Sequence, residues 1–592
     1  MAPAKTSKSR AWFFPTSPRS PHKLQGELRL LKQLEGRPWN KETQLAFAQL
    51  LQEYPEFDGN ISASAPDFSA RDRATRAPRL LGFIHFPKKG RQGPLQFTAM
   101  GNLFLAAQEA EQGLIFQRQL AKVQFKSPLH DSGGFEDMSV RPLTVMIKLL
   151  LALNNMSKEE VALFATTLIN HEEFDERLQT IKDYRGQIGS LGEAKKRKQF
   201  RRDFALNWVA QIYGQDIDLG RTHLREGGAD FLKTKYQTLR DYADSTIRYL
   251  RSTGLFTLTP HGQRLTLINA STDDAKFLLE QHGIGLSAHA SLPYDDYVTR
   301  YLGNPSLPEI RKDNPSRQAE DLTRLVAALA AHDPHQAGIY RQDYALASSK
   351  SEKLRVLCRL EESLRDVQIK NEAKGIRQDI EESLADIKNT YQAIASKQSE
   401  LLDKPLMYEW NTWRAMVLIN DARNVQGNYV ADAEGNPLFT AGGKQPDILV
   451  EYDSFWLAVE VTLQKGQRQY ETEGEPISRH VGQLQAERHV NGDHRPVFGL
   501  FVAETINNEV IAHLITQARF ASQVYKGPIR IVPMRRELFE AFMASTLRHP
   551  GFSHHLLQQF FEAIFSKETL AQGELDWAAQ IEARVHQFPR FN

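Results

Sequence analysis

Apolar positions recur at helical spacing along much of the chain. Leu28, Leu31 and Leu34 share one face, and Leu45, Phe47, Leu50 and Leu51 another, which predicts two amphipathic helices between Leu24 and Tyr54. The period then changes. In FSARDRATRAPRLLGFIHF a short helix bearing Arg71, Arg73, Arg76 and Arg79 leads into an apolar strand from Leu80 to Phe86. A Lys/Arg/Gly turn holding Lys88 and Lys89 and a second strand follow. The same order returns in DYADSTIRYLRSTGLFTLTPHGQRLTLIN, where a helix through Arg248 and Arg251 precedes strands at Leu255–Leu258 and Leu265–Ile268.

Helix, strand, turn, strand is the order of a winged helix, with the turn as the wing. Two such units predict two subdomains. Between them AKKRKQFRR carries six bases in nine residues, Ala194 to Arg202. Such a run is ordinarily a solvated helix face, with nucleic-acid contact as the alternative. The Gly, Asn and two prolines of YLGNPSLP mark a boundary near Tyr301, read as the start of a linker. Beyond it, residues 318–331 and 351–400 are rich in Ala, Leu, Glu, Lys and Arg. Leu354, Val356, Leu357 and Leu360, then Ile376, Ile380, Leu384 and Ile387, mark apolar faces of a helical connector.

The tail changes character at Leu401. A helix containing YEWNTWRAMVLI precedes AGGKQPDILVEYDSFWLAVEVTLQKG, which predicts a β-hairpin. Ile448–Val450 forms one strand, Tyr452–Phe455 the turn and Trp456–Thr462 the return. At roughly 100–200 residues per domain, 592 residues give about three or four domains. The division expected is a recognition region over 1–300, a helical linker over 301–400 and an α/β domain over 401–592.

Composition adds exclusions. Apolar residues at 41% and charged residues at 25% are ordinary for a globular chain. One cysteine, Cys358, excludes a disulfide framework and a Cys-rich zinc site, as expected of a cytoplasmic protein. No run of about 18 apolar residues predicts a membrane span, and the N-terminal apolar run is too short for a signal segment.

Net charge is only +2, but its distribution is uneven. Lys+Arg against Asp+Glu is 41 to 33 over residues 1–300, 15 to 16 over 301–400 and 18 to 23 over 401–592, or +8, −1 and −5. The basic excess lies in the first hundred residues, where 16 bases face 8 acids. A basic head suits an anionic polymer, and an acidic tail suits a metal. Candidate DNA contacts are Arg19, Arg71, Arg73, Arg76, Arg79, Lys88, Lys89, Arg248 and Arg251.

In the tail, Asp447 follows Pro446 into the first strand, and Glu460 lies on the second with twelve residues between them. A hairpin can bring both carboxylates to one end of a sheet as hard oxygen ligands for a divalent ion, Mg²⁺ above all. This is the PD-(D/E)XK nuclease signature, except that Thr462 stands where the pattern has lysine. Thr462 shares a strand face with Glu460, and Val461 offers its carbonyl as a third metal ligand. Glu409 and Glu473 are further acids. Glu473 and His480 are seven apart and share a helix face if their segment is continuous, although Gly474 and Pro476 argue for a loop first.

SPRSPHKLQGEL, FSARDR, STIRYLRSTGLF, YLGNPSLP, AGGKQPDILVEY, EVT and EGEPISRH resemble, in this order and at similar spacing, the AlwI-type restriction endonucleases, including site-specific nicking enzymes of the BstNBI kind. The resemblance implies a type IIS enzyme with winged-helix subdomains, a helical linker and a C-terminal PD-(D/E)XK domain cutting double-stranded DNA a few bases outside its site. It matches Glu409, Asp447, Glu460, Glu473 and His480 to the catalytic residues, with lysine absent there too. It also implies a cognate DNA methyltransferase, and a second copy or a separate small nuclease subunit for the second strand. Two other readings stay open: a non-enzymatic winged-helix protein with a degenerate nuclease-like domain, and a nuclease of repair or transposition without a fixed site.

Overall fold

The computed structural model describes all residues except 1–7, 55–56, 58–60, 88–92, 131–133, 219–227, 260–261, 397–398, 443–444 and 589–592. Lys88 and Lys89 therefore lie outside the described residues. The chain forms two compact units, Met1–Val367 and Gln368–Asn592. No helix among the described residues is long and apolar enough to cross a membrane.

The first unit is mostly helical. Its helices Leu24–Lys32 and Lys41–Glu53 are the two expected from the leucine spacing, and Leu28, Leu31, Phe47 and Leu51 are buried. Asn40 caps the second by accepting from the Thr43 N–H at 3.0 Å. The helix Pro66–Thr75 carries Arg71 and Arg73. The strand expected over Leu80–Phe86 is shorter than its apolar pattern suggests. Pro78 starts a second short helix, Ala77–Leu80, and pairing is confined to Ile84–His85 against Gln96–Phe97. Gly82 separates the two with φ +66°, and a Cβ there would lie 2.5 Å from the Leu302 Cβ.

The second helix–strand unit comprises the helix Gly228–Arg251 and the antiparallel strands Phe256–Leu258 and Arg264–Leu267. A third strand, Asn155–Ser157, pairs with Arg264–Leu267 from more than a hundred residues upstream. That pairing is invisible to local pattern.

The YLGNPSLP segment is not an exposed linker. Tyr301 and Leu302 are buried, and the Leu302 carbonyl accepts from Gln119 Nε2 and from Lys122 Nζ, both at 2.8 Å. Burial pushes the Lys122 amine well below its usual range. Turn residues shape this stretch, but its apolar side chains are core. Helices Pro315–Ala330, Pro334–Leu346 and the start of Lys350–Gln378 enclose Leu325, Leu329, Leu357 and Leu360. Ile380, expected on an apolar face, is 46% exposed, because Asp379 ends one helix and caps the next.

The second unit is built on a five-stranded mixed sheet. Its spatial order is Ile531–Arg535, Val497–Ala503, Trp456–Thr462, Ile448–Glu451 and Asn424–Gly427. The hairpin Ile448–Glu451/Trp456–Thr462 is antiparallel, and Trp456–Thr462 then pairs in parallel with Val497–Ala503. As the middle strand it is covered on both faces, so its burial is nearly continuous rather than alternating. Helices Lys404–Ile419, Gln467–Val490, Asn508–Arg519 and Arg536–Arg548 flank the sheet, and Trp413, Tyr452, Phe455, Phe498, Phe561 and Trp577 fill the core.

Two expectations follow for stability. Arg73 and Glu27 form a bidentate ion pair at 2.6–2.9 Å with both side chains at most 10% exposed. Glu27→Ala strands a buried cation and should destabilise the first unit by about 3 kcal/mol in denaturant titration. In the second unit, burial raises the Glu372 carboxyl to about 7 despite Arg414 nearby. The folded state therefore holds that proton more tightly than the unfolded chain. Its contribution is complete below about pH 4.5 and fades as pH rises through 7, by about 3 kcal/mol, and Glu372→Gln should flatten that slope.

Candidate active site

The site grows from strand register. Val459 pairs with Ile448, so the next antiparallel positions outward are Glu460 and Asp447. A hairpin turn of four residues, closed by the Tyr452 N–H donating to the Phe455 carbonyl at 3.0 Å, sets that register. The two carboxylates stand opposite each other where the ladder ends. Asp447 Oδ2 accepts the Val461 N–H at 2.8 Å, which fixes its orientation.

Thr462, two residues beyond Glu460 on the same face, donates to Glu473 Oε1 at 2.7 Å. Glu473 lies on the helix Gln467–Val490, which runs unbroken through Gly474 and Pro476. The loop expected before this helix is absent: proline forgoes one backbone hydrogen bond there, and packing on the sheet tolerates the loss. Continuity places Glu473 and His480 two turns apart on one face. His480 Nδ1 is 2.8 Å from Glu460 Oε1.

The fourth acid enters from another element. Glu409 sits on Lys404–Ile419, and Thr440 at the end of the small hairpin Tyr429–Ala431/Pro437–Thr440 donates to its Oε2 at 2.8 Å. Thr440 was not legible as a site residue, because 31 positions separate the partners and no periodicity relates them.

All four carboxyls are displaced upward. Burial is the leading cause for each, and neighbouring acids add to it: Asp447 beside Glu409, Glu460 and Glu473 beside Asp447, Glu473 and Glu409 beside Glu460. For Glu473 burial outweighs the opposing Thr462 hydrogen bond and the His480 imidazole. Burial, then the Arg479 cation, pushes His480 below its usual range, so it is neutral near pH 7. Crowded carboxyls that resist ionisation are relieved by a cation. The donor set is all hard oxygen, which fits Mg²⁺ or a similar divalent ion rather than a soft metal. Among the described residues, no group of three or more His, Cys, Asp or Glu side chains is placed so that it could hold a metal ion.

The arginines of the first unit divide. Arg73 is consumed by Glu27, and Arg251 is buried, so neither presents itself to a ligand. Arg76 pairs with Asp72 at 2.6 Å, and Arg79 reaches the Tyr294 hydroxyl at 3.3 Å. Arg248 pairs with Asp244 at 3.2 Å, where Lys158 also binds at 2.6 Å and Arg19 approaches to 3.7 Å. Arg71 lies over the Phe68 ring at 4.8 Å. Glu27 and Asp244 were missed as organisers, since sequence shows charges without their partners.

The AlwI restriction endonuclease family matches residues 80–541. The chain belongs to that family. It is accordingly a restriction endonuclease, a DNA-binding hydrolase, and its acidic sheet end is the candidate cleavage centre of an AlwI-family enzyme. Among solved structures, it is similar to the small subunit of the heterodimeric restriction endonuclease R.BspD6I, at 22% identity and TM-score 0.28, over 34% of this chain and 98% of that one. No curated protein matches the chain.

The Thr462 hydroxyl is the hydrogen-bond donor to Glu473. Thr462→Val should lower cleavage about tenfold, the loss of one hydrogen bond to a charged group, while Thr462→Ser keeps most activity. Single-turnover cleavage at saturating enzyme reads the difference.

Proposed function

We propose that this family member is a type IIS or site-specific nicking endonuclease that binds a short asymmetric duplex site and hydrolyses a phosphodiester a few bases away with Mg²⁺. The observation that carries the reading is the cross-strand placement of Asp447 and Glu460 with Glu473 on the adjoining helix. In this reading the acidic sheet is a PD-(D/E)XK core. Residues 1–300 hold recognition in two winged-helix-like subdomains, 301–400 form a packed helical connector rather than an exposed linker, and 401–592 cleave. Two helices each followed by paired strands, at Pro66–Phe97 and Gly228–Leu267, support the winged-helix assignment.

Asp447, Glu460 and the Val461 carbonyl would hold the ion. When bound, it supplies charge neutralisation at the scissile phosphate and a more acidic water. The chain's own groups do the orienting. The Val461 N–H donates to Asp447 Oδ2 and fixes that carboxylate. With Glu460 ionised, a neutral His480 donates from Nδ1 to Glu460 Oε1 and keeps Nε2 as an acceptor. Thr462 pins Glu473 Oε1, so Oε2 is left to orient the attacking water and take its proton, the work lysine assists elsewhere. A displaced Glu473 pKa makes that carboxylate a stronger base than an ordinary surface acid. Glu409, tied to Thr440, is a further buried acid beside Asp447.

The partner is double-stranded DNA. A second copy or a small nuclease subunit would cut the opposite strand, and a cognate methyltransferase would protect the host site. One buried thiol, Cys358, suits the reducing cytoplasm.

Asp447→Asn and Glu460→Gln should each reduce nicking and double-strand cleavage by at least about a hundredfold with duplex affinity unchanged. Glu473→Gln should do the same, while the exposed neighbours Glu471→Gln and Glu475→Gln stay active. Plasmid cleavage with Mg²⁺ against an EDTA control, followed by sequencing of the ends, reads activity and offset together. Wild-type cleavage by Asp447→Asn, or ends scattered without a fixed site, would overturn the proposal.

A further inference from the structure

The AKKRKQFRR run opens the helix Ala194–Asp218. Positions 195, 198, 202, 205, 209, 213 and 216 follow one another at steps of three and four, so they form one stripe along that helix. Its far end is core, with Ala205, Val209, Tyr213 and Asp216 buried. Its near end is Lys195, Lys198 and Arg202, all exposed. Along the helix the stripe changes from buried to exposed where it changes from largely apolar to basic.

The same segment is packed on another face. Phe200 and Phe204 pack on the Tyr184 ring at 6.0 and 4.7 Å, and Phe204 stacks on Trp208. Of the other bases in the segment, Lys196 pairs with Glu193 at 2.8 Å and Arg197 reaches the Leu191 carbonyl at 3.4 Å. Among the described residues, Lys195, Lys198 and Arg202 have no acidic partner. At 1.5 Å per residue they span about 10 Å, which matches about three phosphates of one strand at 3.4 Å each.

We infer that this stripe is a docking surface for the phosphate backbone of duplex DNA, contributing affinity without reading sequence. A solvated face needs no such alignment, and isolated like charges on one helix stripe repel one another unless a polyanion lies across them. The inference rests on the chain being a site-specific DNA enzyme, and it extends the binding surface beyond the arginines flanking the two helix–strand units.

The test uses the full chain in EDTA. Binding is measured as a function of salt on a duplex carrying the site recovered from wild-type cleavage ends and on a scrambled duplex. The triple variant Lys195→Ala, Lys198→Ala, Arg202→Ala should bind both duplexes about 10- to 100-fold more weakly at low salt. Its slope of log K against log salt should fall by about 2 to 3, with the ratio between duplexes unchanged. Lys195→Arg, Lys198→Arg, Arg202→Lys should keep the wild-type slope. If the triple alanine variant fails to fold, Lys198→Gln alone should lower the slope by about one. Wild-type affinity and slope in the alanine variant, or an altered ratio between duplexes, overturns the inference. Wild-type protein that binds neither duplex overturns the parent reading and this one with it.

Discussion

The site depends on one register. Because Val459 faces Ile448 across the antiparallel ladder, Asp447 and Glu460 are forced to oppose each other at its end. A slip of one residue would turn Glu460 to the other face of the sheet and replace it with Val461. The four-residue turn and the apolar pairs Leu457–Val450 and Ala458–Leu449 hold that register against the repulsion it creates. The acids thus stand together because the sheet core keeps them there, and their carboxyls are displaced upward by burial first and by one another's charge second. A divalent cation is the natural complement, since it turns mutual repulsion into shared attraction.

Around this centre each acid is tethered, and the tethers are of three kinds. A backbone N–H holds Asp447, an imidazole meets Glu460, and threonine hydroxyls hold Glu473 and Glu409. Neutral donors orient a carboxylate without neutralising it, so the negative charge stays available. A lysine at position 462 would bring its own positive charge into the cluster. Thr462 instead brings a neutral hydroxyl that donates to Glu473.

In the first unit the economy of charge runs the other way. Many arginines that look available in the sequence are spent on structure: Arg73 on Glu27, Arg118 on Asp313 at 2.8 Å, and both Arg185 and Arg264 on Glu160. Composition therefore overstates the basic surface open to DNA. What separates a structural arginine from a ligand-facing one is whether an acid reaches it, and that acid can lie anywhere in the chain.

The sequence by itself determined the local features of this protein. Leucine spacing marked Leu24–Lys32 and Lys41–Glu53, and the Pro-Asp entry with its hairpin pattern marked Asp447 and Glu460, because each depends on neighbours a few residues away. Blocks of motif were enough for the family. Tertiary structure alone decided the rest: that Thr440 reaches Glu409, that Glu27 takes Arg73, that Asn155–Ser157 completes a distant sheet, and that the helix carrying Glu473 runs straight through Pro476. It also decided that Tyr301 and Leu302 are core, although glycine and proline around them read as a linker. The physical reason is common to all of these. Local pattern encodes the intrinsic preference of a segment, whereas pairing, burial and the cost of an unanswered charge are set by groups far away in sequence that only the folded chain brings within a few ångströms.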